Sequence, residues 1–170
     1  MADPVETPIG TVTPEHFRPG SVRHQVVCGP KFLYALFNPQ DQMHPVSRAF
    51  MDFVRDGHLP YRRLIVNDHI VDEAATRLKK QASMRNAATF LTTLDKSALY
   101  QLESVTPGVF SDATDTFIEW TDLDASLTDF IVASHMAELE VDHILTYDRH
   151  YVAFDVTALP YRRHESSTHD

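Results

Sequence analysis

The chain has a single cysteine, Cys28, and only four lysines, Lys31, Lys79, Lys80 and Lys96. One cysteine excludes an intramolecular disulfide and agrees with a reducing compartment. Set in the apolar segment Gln25-Val26-Val27-Cys28, it reads as a buried thiol rather than a reactive one. With so few lysines the acids prevail: 24 Asp plus Glu face 15 Lys plus Arg, a formal net charge of −9. That balance argues against nonspecific affinity for nucleic acid, which depends on Lys and Arg neutralising phosphates. It suits a high-salt cytoplasm, where an acidic shell maintains solubility, and equally an ordinary acidic protein. No apolar run approaches the roughly 20 residues of a membrane-spanning helix, and the N-terminus lacks the charged-then-apolar pattern of a signal peptide. A cytoplasmic location and no membrane partner are expected. There is no glycine-rich phosphate loop, which counts against a nucleotide-binding domain. A phospho-receiver domain would carry acids at the end of its first strand, where this chain has none.

At 170 residues, with 43% apolar and 23% charged residues, the chain should form one globular domain with a real core. Residues 1–21, with Pro4, Pro8, Pro14 and Pro19 among Thr and Gly, read as a disordered arm, and 161–170 as a flexible tail. Between them, over 22–160, short apolar strands alternate with amphipathic helices. Strands are expected at 22–28, 64–66, 99–105, 144–147 and 156–159. Helices are expected from Lys31, from Pro45, from Asn67 or Asp68, from about Arg85, from Pro107 and from Ser126. Short, continuously apolar strands separated by helices predict an α/β fold with a mostly parallel central sheet covered on both faces. In such sheets ligands sit in the crevice at the carboxyl ends of the strands.

Three acids fall near that crevice. Glu73 lies in the first turns of the helix after Leu64-Ile65-Val66. Asp129 opens the apolar helix Leu127-Thr128-Asp129-Phe130-Ile131-Val132-Ala133. Asp148 follows the strand Ile144-Leu145-Thr146-Tyr147. Clustered carboxylates repel one another unless a cation joins them, which points to a hard, oxygen-seeking ion such as Mg²⁺ or Mn²⁺ and to phosphodiester hydrolysis. Each acid also has a structural reading. Ser126-x-x-Asp129 fits a capping box, Asp148 could cap a short helix over 149–154, and Glu73 could pair with Arg77 one turn on. Asp72, next to Glu73, is an alternative acid on the same helix. Asp41 reads as a helix-start residue, and Asp112, Asp115, Asp122 and Asp124 as a solvated face and loop. His143 and His150 read as surface residues flanking the Asp148 strand. Arg62-Arg63, Arg77 to Lys80 with Arg85, and Arg149 are the candidate basic patches for RNA.

These segments resemble the PIN domain family, in particular its VapC-like toxin ribonucleases. Leu127 to Ala133 is similar to the family's third acidic motif, and Ile144 to Tyr151 with Val156 to Pro160 to its last motif and final strand. Val71-Asp72-Glu73-Ala74 is similar to the helix bearing the second acid, and Leu33 to Pro39, through Asp41 and His44, to the segment after the first strand. The resemblance spans roughly 22–160. It implies a three-layer α/β/α sandwich and RNA cleavage with Mg²⁺ or Mn²⁺ at Glu73, Asp129 and Asp148, Thr128 being a neighbouring hydroxyl. It also implies an antitoxin-like protein partner and a homodimer.

One position departs from the family. Its first motif begins with Asp followed by a small polar residue, and this chain reads Gly29-Pro30-Lys31 there. Loss of that carboxylate should weaken metal binding. The expectation is that the Lys31 ammonium points into the acids and neutralises Glu73, Asp129 and Asp148 in place of a metal, with solvent-facing Lys31 as the alternative. Two functions stay open: a metal-dependent endoribonuclease, and a degenerate PIN module that binds RNA or a protein partner.

Overall fold

A computed structural model describes residues 2–162. Its centre is β3 (Gln25–Cys28), the middle strand of a five-stranded sheet ordered β5-β4-β3-β6-β7, with every neighbouring pair parallel. The partners are β4 (Arg63–Asn67), β5 (Tyr100–Glu103), β6 (His143–Leu145) and β7 (Thr157–Leu159). Val26 pairs with Leu64, Val27 with both Ile65 and Ile144, and Cys28 with Leu145. Val26 to Cys28 of β3 and Leu64 to Asn67 of β4 are consecutively buried, so both faces of the sheet are covered, as their unbroken apolar runs require. The cover comes from α1 (Pro30–Phe37), α2 (His44–Arg55), α3 (Asp68–Gln81), α4 (Met84–Lys96), α5 (Pro107–Glu119) and α6 (Leu127–Leu139). The result is the α/β/α sandwich expected from the sequence.

The helices begin where local chemistry says they should. Asn67 Oδ1 accepts the Ile70 N–H at 2.9 Å, Ser83 Oγ accepts that of Asn86, and Thr106 Oγ1 that of Val109. Pro30, Pro45 and Pro107 stand in first turns, where a missing N–H costs nothing. Asp41 Oδ1 accepts the Met43 N–H at 2.8 Å, shaping the turn into α2. Strand ends differ from expectation by one to three residues, the largest difference being β3, expected from 22 and beginning at Gln25.

The N-terminal arm is a correction. Residues 1–21 were expected to be disordered, yet Val5–Thr7 (β1) and Gly10–Val12 (β2) form an antiparallel hairpin, followed by a 3₁₀ turn over Pro14–Phe17. The cause is two apolar anchors. Val12 and Phe17 are buried, Phe17 packs edge-on against Phe50 at 5.2 Å, and Tyr61 donates its hydroxyl to the Phe17 carbonyl. Of the expected tail, Tyr161 and Arg162 are exposed and reach back to this segment, the Tyr161 N–H donating to the His16 carbonyl. Residues 163–170 lie outside the described residues.

Candidate functional site

The carboxyl ends of β3, β4 and β6 converge as the architecture requires. Gly29 ends β3 with extended backbone, and its N–H donates to the Leu145 carbonyl of the neighbouring β6 at 2.8 Å. A Cβ on Gly29 would stand 2.8 Å from that same oxygen and 3.5 Å from Thr146 Cβ. A side chain at position 29 would therefore require the strand end to shift.

Lys31 lies in the first turn of α1 and reaches across to Asp148, with Nζ 2.5 Å from Oδ1. The Lys31 side chain is 43% exposed, whereas that of Asp148 is 17% exposed. A helix N-terminus favours anions, so a lysine there stands against the helix dipole and gains from an acid to face. Asp148 is anchored from its own backbone, the N–H donating to Thr146 Oγ1 at 3.0 Å. Its carboxylate does not cap the 3₁₀ turn Arg149–Phe154 that follows, although it occupies the cap position.

Asp129 is satisfied differently. It closes a capping box with Ser126: Ser126 Oγ accepts the Asp129 N–H at 3.2 Å, and Asp129 Oδ2 accepts the Ser126 N–H at 2.9 Å. Its other oxygen accepts the Tyr151 hydroxyl at 3.0 Å. Tyr151 is wholly buried, and burial, then the Asp129 charge, push its pKa far upward, so the phenol stays a donor. Each Asp129 oxygen therefore already has a donor, with only 7% of the residue exposed.

Glu73 borders the same acids from the second turn of α3. Partial desolvation of its carboxyl, then the charge of Asp129, raises its pKa; Asp148 adds to this, while Arg77 and Lys31 oppose it. Arg77 makes no ion pair with it. The Arg77 guanidinium lies 5.1 Å over the Tyr34 ring and donates to Gln81. Glu73 and Asp72 are both exposed on this helix.

The three acids thus share one electrostatic neighbourhood without sharing one point. Among the described residues, no three His, Cys, Asp or Glu side chains are placed to hold a metal ion together. The donor set does not fit the Mg²⁺ or Mn²⁺ that the resemblance implies. Asp129 is occupied by protein donors, Asp148 faces an ammonium, and position 29 supplies neither a carboxylate nor room for one.

Two features were missed. Tyr151 is the Asp129 partner; its place three residues after Asp148, one 3₁₀ turn on, was the available signal. Asn67 donates through Nδ2 to Nδ1 of His135 at 3.2 Å, and burial lowers the pKa of His135, keeping the imidazole neutral. His143 corrects the sequence reading of a surface residue. It is buried at the start of β6, beside the Tyr61 hydroxyl at 3.2 Å, because the strand that carries it is covered on both faces. Arg62 and Arg63 are exposed at the start of β4, the end of the sheet opposite the acids.

No family model matches the sequence, and no curated protein matches it. Solved structures do match the fold. VapC20 of Mycobacterium tuberculosis, described as a sarcin-ricin loop cleaving toxin, superposes with a TM-score of 0.66 at 17% identity, over 75% of this chain and 94% of that one. FitAcB from Neisseria gonorrhoeae superposes with a TM-score of 0.56 at 12% identity, over 81% and 99%. At these identities the likeness establishes a PIN-like fold and leaves the chemistry to the residues of this chain.

Proposed function

We propose that this chain is a PIN-like module of the toxin–antitoxin ribonuclease kind whose acidic centre is neutralised from within, and that it acts by binding a protein partner rather than by cleaving RNA. The observation that carries the reading is the Lys31 Nζ–Asp148 Oδ1 contact of 2.5 Å. Acids gathered at strand ends need a cation, and here the nearest one is covalently part of α1. Gly29 supports the same reading, since its backbone has drawn against Leu145 where a carboxylate-bearing residue would need space. Asp129 and Tyr151 act as a structural pair that ties α6 to the turn after β6. A protein partner is favoured over RNA by the net charge of −9 and by the position of Arg62 and Arg63 at the end of the sheet away from the acids. An antitoxin-like protein is the partner class that the VapC-like resemblance brings.

The test is RNA cleavage by pure protein with Mn²⁺, at low and high KCl, beside Asp148→Asn. The expected result is no cleavage above that of the Asp148→Asn protein. Cleavage that Asp148→Asn abolishes would overturn the reading and restore a ribonuclease built on Glu73, Asp129 and Asp148.

A further inference from the structure

At the amino ends of the central strands, opposite the acids, an open cleft of about 470 Å³ crosses the sheet. Its walls are Val22 to Gln25 at the start of β3, Arg62 and Arg63 at the start of β4, and Glu140 to Asp142 before β6. The His24 carbonyl accepts both the Arg62 and the Arg63 N–H, at 2.8 and 3.2 Å. Two residues thus face one, which interrupts the alternation of strand side chains, and both arginines border the cleft. Arg23 is committed within the fold: its Nε and NH2 donate to the Asp142 carboxylate and its NH1 to Ser21 Oγ. Arg62 and Arg63 are exposed, and among the described residues neither forms an ion pair. A chain of net charge −9 therefore holds two adjacent guanidiniums that no described carboxylate meets. Val22, 66% exposed, adds an apolar wall, and Glu140 stands exposed on the rim.

We infer that this cleft binds an acidic peptide segment of a protein partner, with side-chain carboxylates on Arg62 and Arg63 and an apolar side chain over Val22. A guanidinium fork meets a carboxylate through two parallel hydrogen bonds, a fit that a lysine does not offer. The inference deepens the partner-binding reading above and rests on it. The mixed lining selects the occupant. A polynucleotide carries a phosphate at every step and sets some of them against Glu140. A peptide can place its acids at Arg62 and Arg63 alone and turn an apolar residue toward Val22.

The probe is a short dye-labelled peptide of alternating glutamate and leucine, followed by fluorescence anisotropy. Its controls are the same peptide with glutamine for glutamate and a dye-labelled oligouridylate. Saturable binding is expected for the glutamate peptide, weakened by salt, and none for the glutamine peptide or the RNA. Arg62→Gln with Arg63→Gln should weaken binding about tenfold. Lys79→Gln with Lys80→Gln removes the same charge from exposed positions at the end of α3 and should leave binding unchanged. Glu140→Gln should tighten it about twofold, a direction that damage to the fold does not produce. All three variants change exposed positions, and circular dichroism checks that they stay folded. No binding, equal losses from the two double variants, or weaker binding in Glu140→Gln overturns the inference. So does oligouridylate binding that the arginine variant abolishes, because a nucleic acid would then own the cleft. Self-association in sedimentation that the arginine variant abolishes also overturns it, in favour of a second copy. RNA cleavage by the same preparation would remove the binding-module reading while leaving a positive peptide result in place. Failed peptide binding in a protein that does not cleave removes this cleft alone.

Discussion

The central strand pair β3–β6 is clasped at both ends by ion pairs that bridge nearly the same span of sequence, and the two clasps behave differently. At the amino end Arg23, just before β3, meets Asp142, just before β6, through Nε at 3.0 Å and NH2 at 3.0 Å. At the carboxyl end Lys31, just after β3, meets Asp148, just after β6, at 2.5 Å. The amino-end pair is open on both sides, with 41% and 49% of the side chains exposed. At the carboxyl end the acid is the withdrawn member, at 17%, and it has Asp129 and Glu73 for company. An open pair can give each partner back to water when broken, so it contributes little to stability. A withdrawn acid among other acids cannot, so its cation matters more than the same contact would at the surface. The fold thus uses one geometry twice, once as a peripheral clasp and once where charge would otherwise accumulate.

The largest expected effect comes from placing a carboxylate at position 29. Gly29→Asp brings a Cβ to 2.8 Å from the Leu145 carbonyl, a backbone atom that cannot swing away. The strand end must shift and a further charge enters the acid neighbourhood, which should cost roughly 2–3 kcal/mol by urea denaturation. A Gly29→Asp protein as stable as wild type would show that the carboxyl end is looser than its hydrogen bond implies. Next in size is the cation itself. Lys31→Met keeps the stem and removes the charge, leaving Asp148 without its partner, and should cost about 1–2 kcal/mol. Arg23→Met is the matched change at the amino end and should cost measurably less, because Asp142 is already half in water. Equal losses from the two would dissolve the distinction between the clasps.

Much of this was legible in the sequence because it is written locally. Unbroken apolar runs such as Val26-Val27-Cys28 and Leu64-Ile65-Val66 announce strands covered on both faces, and Asn67, Ser126 and Pro107 mark helix starts by chemistry that acts over three or four residues. The capping box at Asp129 was readable for the same reason, from spacing, whereas Lys31 was expected to face all three acids and makes its contact with Asp148, a partner distant in sequence. What escaped depends on partners distant in sequence. The N-terminal segment looked unstructured because its proline-rich composition hides two buried anchors, Val12 and Phe17, and the partners of Phe17, Phe50 and Tyr61, lie tens of residues away. His143 was misplaced because its polarity outweighed its position in a buried strand. Tyr151 escaped because a phenol donating to a buried carboxylate is visible only once α6 and the 3₁₀ turn are folded together. The gathering of the acids was legible as a neighbourhood but not as a geometry, since sequence spacing fixes which strand ends carry charge and leaves open which donors reach them first.

The smallest effect expected is at Glu73, and its value lies in its sign. Desolvation and Asp129 raise the Glu73 pKa, whereas the Arg23 hydrogen bond lowers that of Asp142. A raised carboxyl favours the folded state at pH below the unfolded value, and that advantage is lost as pH rises through the folded value; at neutral pH an ionised Glu73 weighs against folding. Asp142 runs the other way, its contribution present above the unfolded value and lost as pH falls through the lowered folded one. Glu73→Gln should therefore be nearly neutral at about pH 4 and slightly stabilising at about pH 7. Asp142→Asn should destabilise at about pH 7 and progressively less toward acid. Urea titrations of both variants across that range give the comparison. If Glu73→Gln instead destabilises at neutral pH, Glu73 holds a favourable partner when ionised, and the single ammonium of Lys31 does more for the whole cluster than its one short contact with Asp148 implies.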